Sequence, residues 1–184
     1  MKSWLEIVGG LLIEPRRGAR RVIQAKPVGL SVVIYGLACL STMVGIEIAR
    51  NIGLAGCEAI FGARFGAALI FGLAVGFALA AILHLSCDLL RGAGSGTALF
   101  LAILLASLPW TLYAGIEFLI SLVALPAVVH FAVKVVLGLW SLAIGIKCVQ
   151  EIYRFSFFRA LSAVLLPALV ISLGFTAILF LMVA

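Results

Sequence analysis

Glu117, His130 and Lys134 are the polar interruptions of note in an apolar region running from Ala98 to Gln150. Charged groups inside a bilayer are costly, and each raises a functional hypothesis by default. Pro126 breaks this region, nine residues after Glu117 and eight before Lys134. At 1.5 Å per helical residue both charges then sit about 12–14 Å from the turn. Two antiparallel helices would bring them to one depth, so Glu117 and Lys134 are expected to pair. Such a pair can hold an ion or a proton in the outer half of a membrane, or it can set helix register. The structural role is the favoured one, because buried polar pairs can serve specificity alone. His130, one turn before Lys134, could join the site, but an interfacial position suits it better.

A second constellation ends in His84 and Asp88. Ala68, Gly72, Gly76, Ala80, His84 and Asp88 recur every four residues. Such a row winds slowly around a helix, and its small members, Gly72 and Gly76 above all, let a neighbouring backbone approach closely. A His/Asp pair can relay protons or bind a metal, but two ligands are too few for a metal and no third is apparent. An interfacial anchoring role is favoured, with Asp88 expected to pair with Arg91 one turn on.

Other chemistries are excluded or weak. The stretch RGAGSG, residues 91–96, is neither a P-loop nor a dinucleotide fingerprint, nor the GxSxG elbow of hydrolases. It reads as a flexible turn before a helix that starts at Ser95 or Thr97. Ser95 with His84 or His130 as base would make an intramembrane enzyme, yet no orienting group or oxyanion device is visible. Cys39, Cys57, Cys87 and Cys148 have no zinc or redox spacing. Glu47/Arg50 and Glu151/Arg154 look like local pairs at helix ends. No metal and no cofactor is expected, and no catalytic residue is assigned.

The elements that must position these residues follow from composition. The chain has 184 residues, 65% hydrophobic and 11% charged, against about 25% charged in a soluble domain. Lipid must therefore be the solvent for most of it. A helical span needs about 20 mostly apolar residues. Five fit, at about 28–49, 65–90, 98–124, 129–150 and 157–184, the last with Pro167 inside it. The fold class is an all-α bundle of five transmembrane helices, with residues 1–27 as a cytoplasmic interfacial segment. In that segment Trp4, Val8, Leu11 and Leu12 fall on one helical face, which predicts a short interfacial helix over residues 3–13. Composition reads as irregular only around Pro15 and Gly18.

Orientation follows from charge. With the N-terminus in the cytoplasm, the inside segments hold Lys2, Arg16, Arg17, Arg20, Arg21, Lys26, Arg91, Lys147, Arg154 and Arg159. The outside segments hold Arg50, Arg64 and Lys134, so the split is ten against three. That is a positive-inside bias, and it puts the C-terminus outside. The net charge of +6 is thus an orientation signal, and no nucleic-acid partner is expected. Arg16, Arg17, Arg20, Arg21, Lys26, Arg91, Arg154 and Arg159, with the aromatics of EIYRFSFFRA (residues 151–160), make one basic cytoplasmic face. Anionic headgroups attract such a face at about 1 kcal/mol per basic residue.

Four pieces of sequence resemble the bacterial branch of the Yip (Ypt-interacting protein) membrane-domain family. They are EPRRGARRVIQAKP before the first span, RGAGSGTALFLAILLASLPW (residues 91–110), LWSLAIGIKCVQEIYRFSFFRAL (residues 139–161) and a closing span with a central proline, Pro167. The resemblance implies a five-helix integral membrane protein with a cytoplasmic N-terminus, and no activity to carry over for prokaryotic members. Eukaryotic relatives contact Rab-type GTPases in vesicle traffic. Only about 27 residues precede the first span here, so that contact is not expected, and a prokaryotic cytoplasmic membrane is. The leading function is a non-enzymatic membrane protein that organises membrane or recruits partners. Its partners would be anionic lipid, an unidentified protein, or a second copy as a homo-oligomer. The alternative is a small ion or solute transporter or channel component built on Glu117 and Lys134.

Overall fold

In lipid, a chain must close its own backbone hydrogen bonds, and the helix does this locally. The computed structural model describes residues 4–49, 63–123, 125–167 and 169, and every element among them is helical. The segment from Arg50 to residue 62, with Cys57, lies outside the described residues, as do Lys2 and residues 170–184 of the expected fifth span.

The N-terminal segment holds two helices where the sequence predicted one. Helix α1 spans Trp4–Ile13 and α2 spans Pro15–Ala25. The expected irregularity at Pro15 and Gly18 is not seen, because proline is accommodated at the first helical position, where its missing N–H has no partner to lose. The two helices fold against each other as a hairpin. A Cβ on Gly18 would sit 2.6 Å from the Leu11 nitrogen and 2.8 Å from the Gly10 carbonyl carbon. Only glycine permits that backbone-to-backbone contact. Arg21 Nη1 donates to the Glu6 carbonyl oxygen at 2.6 Å and closes the hairpin further. Ile7, Leu11, Ala19 and Val22 are buried beneath it, while Trp4 is 60% exposed.

Four helices among the described residues are long and apolar enough to cross a membrane. They are α3 (Val28–Ala49), α4 (Ala63–Leu89), the pair α5 (Gly96–Ala106) and α6 (Tyr113–Val123), and α7 (Ala127–Tyr153). A shorter apolar helix, α8, covers Phe157–Pro167. Phe71, Phe77, Leu119, Phe131 and Val136 are exposed, an outer surface suited to acyl chains and not to water.

The third span is the hub. Half of it is buried, against 11–17% of each of the others, and it packs on α3, α4 and α7. It is also broken, where one continuous helix was predicted. Leu108–Leu112 form a 3-10 turn with Pro109 inside it, because proline has no N–H and its ring clashes with the preceding turn. The first span repairs the break. Ala114 N–H donates to Ser41 Oγ at 2.9 Å, and that hydroxyl donates to the Thr111 carbonyl oxygen at 3.0 Å. The small-residue row on α4 also packs within the chain, with Gly72 beneath the Tyr35 hydroxyl and Gly76 against Leu104.

Gly18→Val should open the α1–α2 hairpin, because the atoms it meets are all backbone of Gly10 and Leu11 in α1. The expected loss is about 1–3 kcal/mol, read as a lower melting point in detergent with faster tryptic cleavage at the 16–21 cluster. Gly9→Ala meets nothing within 4 Å and should leave both readouts nearly unchanged.

Candidate functional site

Polar side chains collect at the two ends of the bundle. At one end Glu117, on α6, is fully buried. Its Oε2 is hydrogen-bonded to His130 Nδ1 from the first turn of α7. Tyr113 lies one turn before Glu117, with its ring buried against the backbone of α3 at Gly45. The Tyr113 hydroxyl stands beside the carboxylate but outside hydrogen-bonding geometry, and Glu117 Oε1 is likewise buried without a partner.

The partner of Glu117 is therefore His130, and the expected Glu117–Lys134 pair is corrected. Matching depths fix height along two helices but not which side chain fits the gap. The short imidazole fits the buried space. The long lysine stem carries its ammonium outward, so that Lys134 is exposed, with Nζ 5.8 Å from the centroid of the Tyr113 ring. That distance is within cation–π range. His130 is thus part of the site and not merely interfacial.

At the other end His84 and Tyr153 meet. His84 Nδ1 and the Tyr153 hydroxyl share a 2.6 Å hydrogen bond. Asp88 Oδ1 lies 3.6 Å from the same nitrogen, so the ionic neighbour of Asp88 is His84 and not the predicted Arg91. Tyr153, read from sequence as an interfacial aromatic, is only 3% exposed. The RGAGSG turn wraps it. A Cβ on Gly94 would lie 2.5 Å from Tyr153 Cδ1, and one on Gly92 would lie 2.5 Å from Phe155 Cζ. These glycines make room for rings, not phosphates. Ser95 caps α5 as predicted, accepting from Ala98 N–H at 3.4 Å. Among the described residues no group of three or more metal-ligating side chains forms.

The same end carries the basic residues. Helix α2 packs along the last turns of α7 and leaves two clefts. Glu14, Pro15, Arg16, Arg17, Arg20 and Lys147 line one. Arg16, Arg20, Gln150, Glu151, Arg154 and Phe155 line the other. Arg20 Nε donates to Glu151 Oε1 at 2.5 Å, so Glu151 reaches across to α2 instead of pairing with Arg154. Arg17 is 3.5 Å from Glu14, and Arg21 turns toward α1 and Glu6. The Arg159 guanidinium stands 5.7 Å from the Phe155 ring centroid. Arg91 and Lys26 end their helices with left-handed backbone, apart from the clefts. Lys147 and Gln150 are the members that sequence reasoning left off this face. Lys147 was counted among the inside charges, and the docking of α2 on α7 is what brings both residues beside the arginines.

Residues 9–179 match the family model of the Yip1 domain. No curated protein and no solved structure matches the chain.

Removing one partner of a buried pair is severe, because the other stays desolvated and unpaired. His130→Leu should lower stability by about 3 kcal/mol or more, measured by thermal unfolding in detergent. The double variant His130→Leu/Glu117→Leu should recover most of that loss. Equal melting points for the single variant and wild type would show that the pair contributes nothing.

Proposed function

This chain belongs to the Yip1 domain family of membrane proteins, and we propose that it is a non-enzymatic scaffold that recruits anionic lipid or a protein partner through its basic end. It is a multi-pass membrane protein. In this reading its N-terminus and the α1–α2 hairpin lie in the cytoplasm of a prokaryotic cell, and its C-terminus lies outside.

One observation carries the reading. Arg16, Arg17 and Arg20 of α2 line clefts together with Lys147 of α7 and Arg154 just after it, although about 120–140 residues separate the two groups in sequence. A docked, folded hairpin holds its charges at set positions, which a mobile orientation signal does not need. Positive potential at a membrane edge attracts anionic surfaces, and salt screens the attraction.

The test compares retention of the detergent-purified protein on beads coated with phosphatidylserine or with phosphatidylcholine. Wild type should prefer the anionic beads, and the preference should fall as salt rises. At about 1 kcal/mol per charge, Arg16→Gln/Arg17→Gln should weaken retention roughly tenfold or more. In a cysteine-free background, Arg17→Cys should react with an impermeant thiol reagent only after the cells are opened. Labelling of intact cells would reverse the proposed orientation.

A second reading, ion or proton transport, is favoured by the unpartnered Glu117 Oε1. It predicts flux in proteoliposomes for protons, Na⁺, K⁺ or a divalent cation that Glu117→Gln abolishes. No flux above empty liposomes from folded protein would leave the Glu117–His130 pair structural for those ions.

A further inference from the structure

We infer that the cleft between α2 and the end of α7 is a specific site for a phosphate group, held by Arg16, Arg154 and the side-chain amide of Gln150. The inference rests on the basic-face reading above and gives that face a defined ligand chemistry.

Gln150 is the observation that points to a ligand. It is 4% exposed, and both its Nε2 and its Oε1 lack any hydrogen-bond partner. A buried primary amide unpaired at both ends is costly, and native proteins seldom leave one so. A leucine there would fill the space without that cost. Yet Gln150 lines a cleft of about 550 Å³ beside Arg16, Arg20 and Arg154, a volume within the ordinary range for small-molecule sites. Both amide atoms are covered at the edge of that cleft, so a phosphate engages them through a turn of the side chain, after which the N–H groups can donate to phosphate oxygens and Oε1 can accept from a headgroup hydroxyl or a protonated phosphate.

The charges around it are arranged for an anion. Glu151 is the one carboxylate lining this cleft, and Arg20 already engages it. Among the described residues Arg16 and Arg154 have no carboxylate partner, so their guanidinium groups can meet a phosphate bidentately. Arg154 follows the last turn of α7 with a left-handed backbone, held there as Phe155 N–H donates to the Gln150 carbonyl oxygen at 3.0 Å. The carbonyl end of α7 opposes an anion, but the N-terminus of α2, at Pro15 and Arg16, favours one. No side chain caps that N-terminus. A phosphate could arrive as a lipid headgroup or as a free ion, and the chemistry of the cleft is common to both.

The test uses the full-length protein in uncharged detergent, with two probes. Labelled inorganic phosphate is measured by equilibrium dialysis. Phosphatidic acid and phosphatidylcholine are titrated and counted as bound lipids by native mass spectrometry. Gln150→Leu is the deciding variant, because it changes no charge. It should lower affinity for phosphatidic acid about tenfold while the melting point stays the same or rises. Arg16→Gln/Arg154→Gln should lower affinity further. Lys26→Gln/Arg159→Gln removes equal charge outside the cleft and should lower it less.

Binding of phosphatidic acid but not inorganic phosphate would identify a headgroup site. Binding of both, each weakened by Gln150→Leu, would identify a site for the phosphate group itself. Wild-type affinity in Gln150→Leu, or equal losses in the two double variants, would overturn the specific site and leave the basic-face reading intact. Absence of any preference for phosphatidic acid over phosphatidylcholine in wild type would overturn both. If Arg16→Gln/Arg154→Gln fails to fold, Gln150→Leu decides the matter alone.

Discussion

The rest of this bundle depends on a broken helix at its centre. Pro109 cannot continue the third span, and in lipid the polar groups that such a break frees must find partners in protein. Ser41 of α3 supplies them by bonding both the Thr111 carbonyl and the Ala114 amide. The first and third spans are therefore joined by a backbone requirement as well as by packing. Because the third span also carries Tyr113 and Glu117, the break helps set where those side chains enter the space between α3 and α7.

The two ends of the bundle use polar groups differently. At the Glu117 end the carboxylate is enclosed by protein. A carboxylate there needs a partner close by, and the imidazole of His130 provides it. Lys134 escapes the same demand by length, lying along the surface with its ammonium over the Tyr113 ring. At the other end the arginines Arg16 and Arg154 are exposed. Charges there need not be paired, and Arg16 and Arg154 are not, among the described residues. One ion pair at that end nevertheless bears on architecture. Arg20 and Glu151 tie the α1–α2 hairpin to α7. An exposed salt bridge is worth little by itself, so the packing of α2 along α7 must hold the hairpin, with the ion pair setting its register.

Glycine at the basic end is a matter of space. Gly92 and Gly94 lie where Tyr153 and Phe155 pack. Tyr153 in turn reaches back to His84, linking the second and fourth spans across the turn that leads to the third. The loop that reads from sequence as a flexible turn is a socket for aromatic rings. The cleft suited to phosphate lies elsewhere, on arginines and a glutamine from two helices distant in sequence.

Composition and run length were sufficient for the membrane class, the helical architecture, the break at Pro126 and a helix start at Ser95 or Thr97. Each of these is local or additive, since hydropathy sums along a window and a cap needs only its own neighbours. The sequence also pointed to Glu117 as an unusual residue, because a buried carboxylate is costly wherever it falls. It did not identify the partner. Depth along two helices is readable from residue counts, but rotation about each axis and the width of the gap are not, and those chose His130 over Lys134. Folding of the segment at Pro15 into a second helix, the pairing of Glu151 with Arg20 and the burial of Gln150 were decided by tertiary structure alone. All three arise from one docking contact, α2 against α7, whose free energy is a sum over many small apolar contacts between residues far apart in the chain. No window of sequence contains that sum.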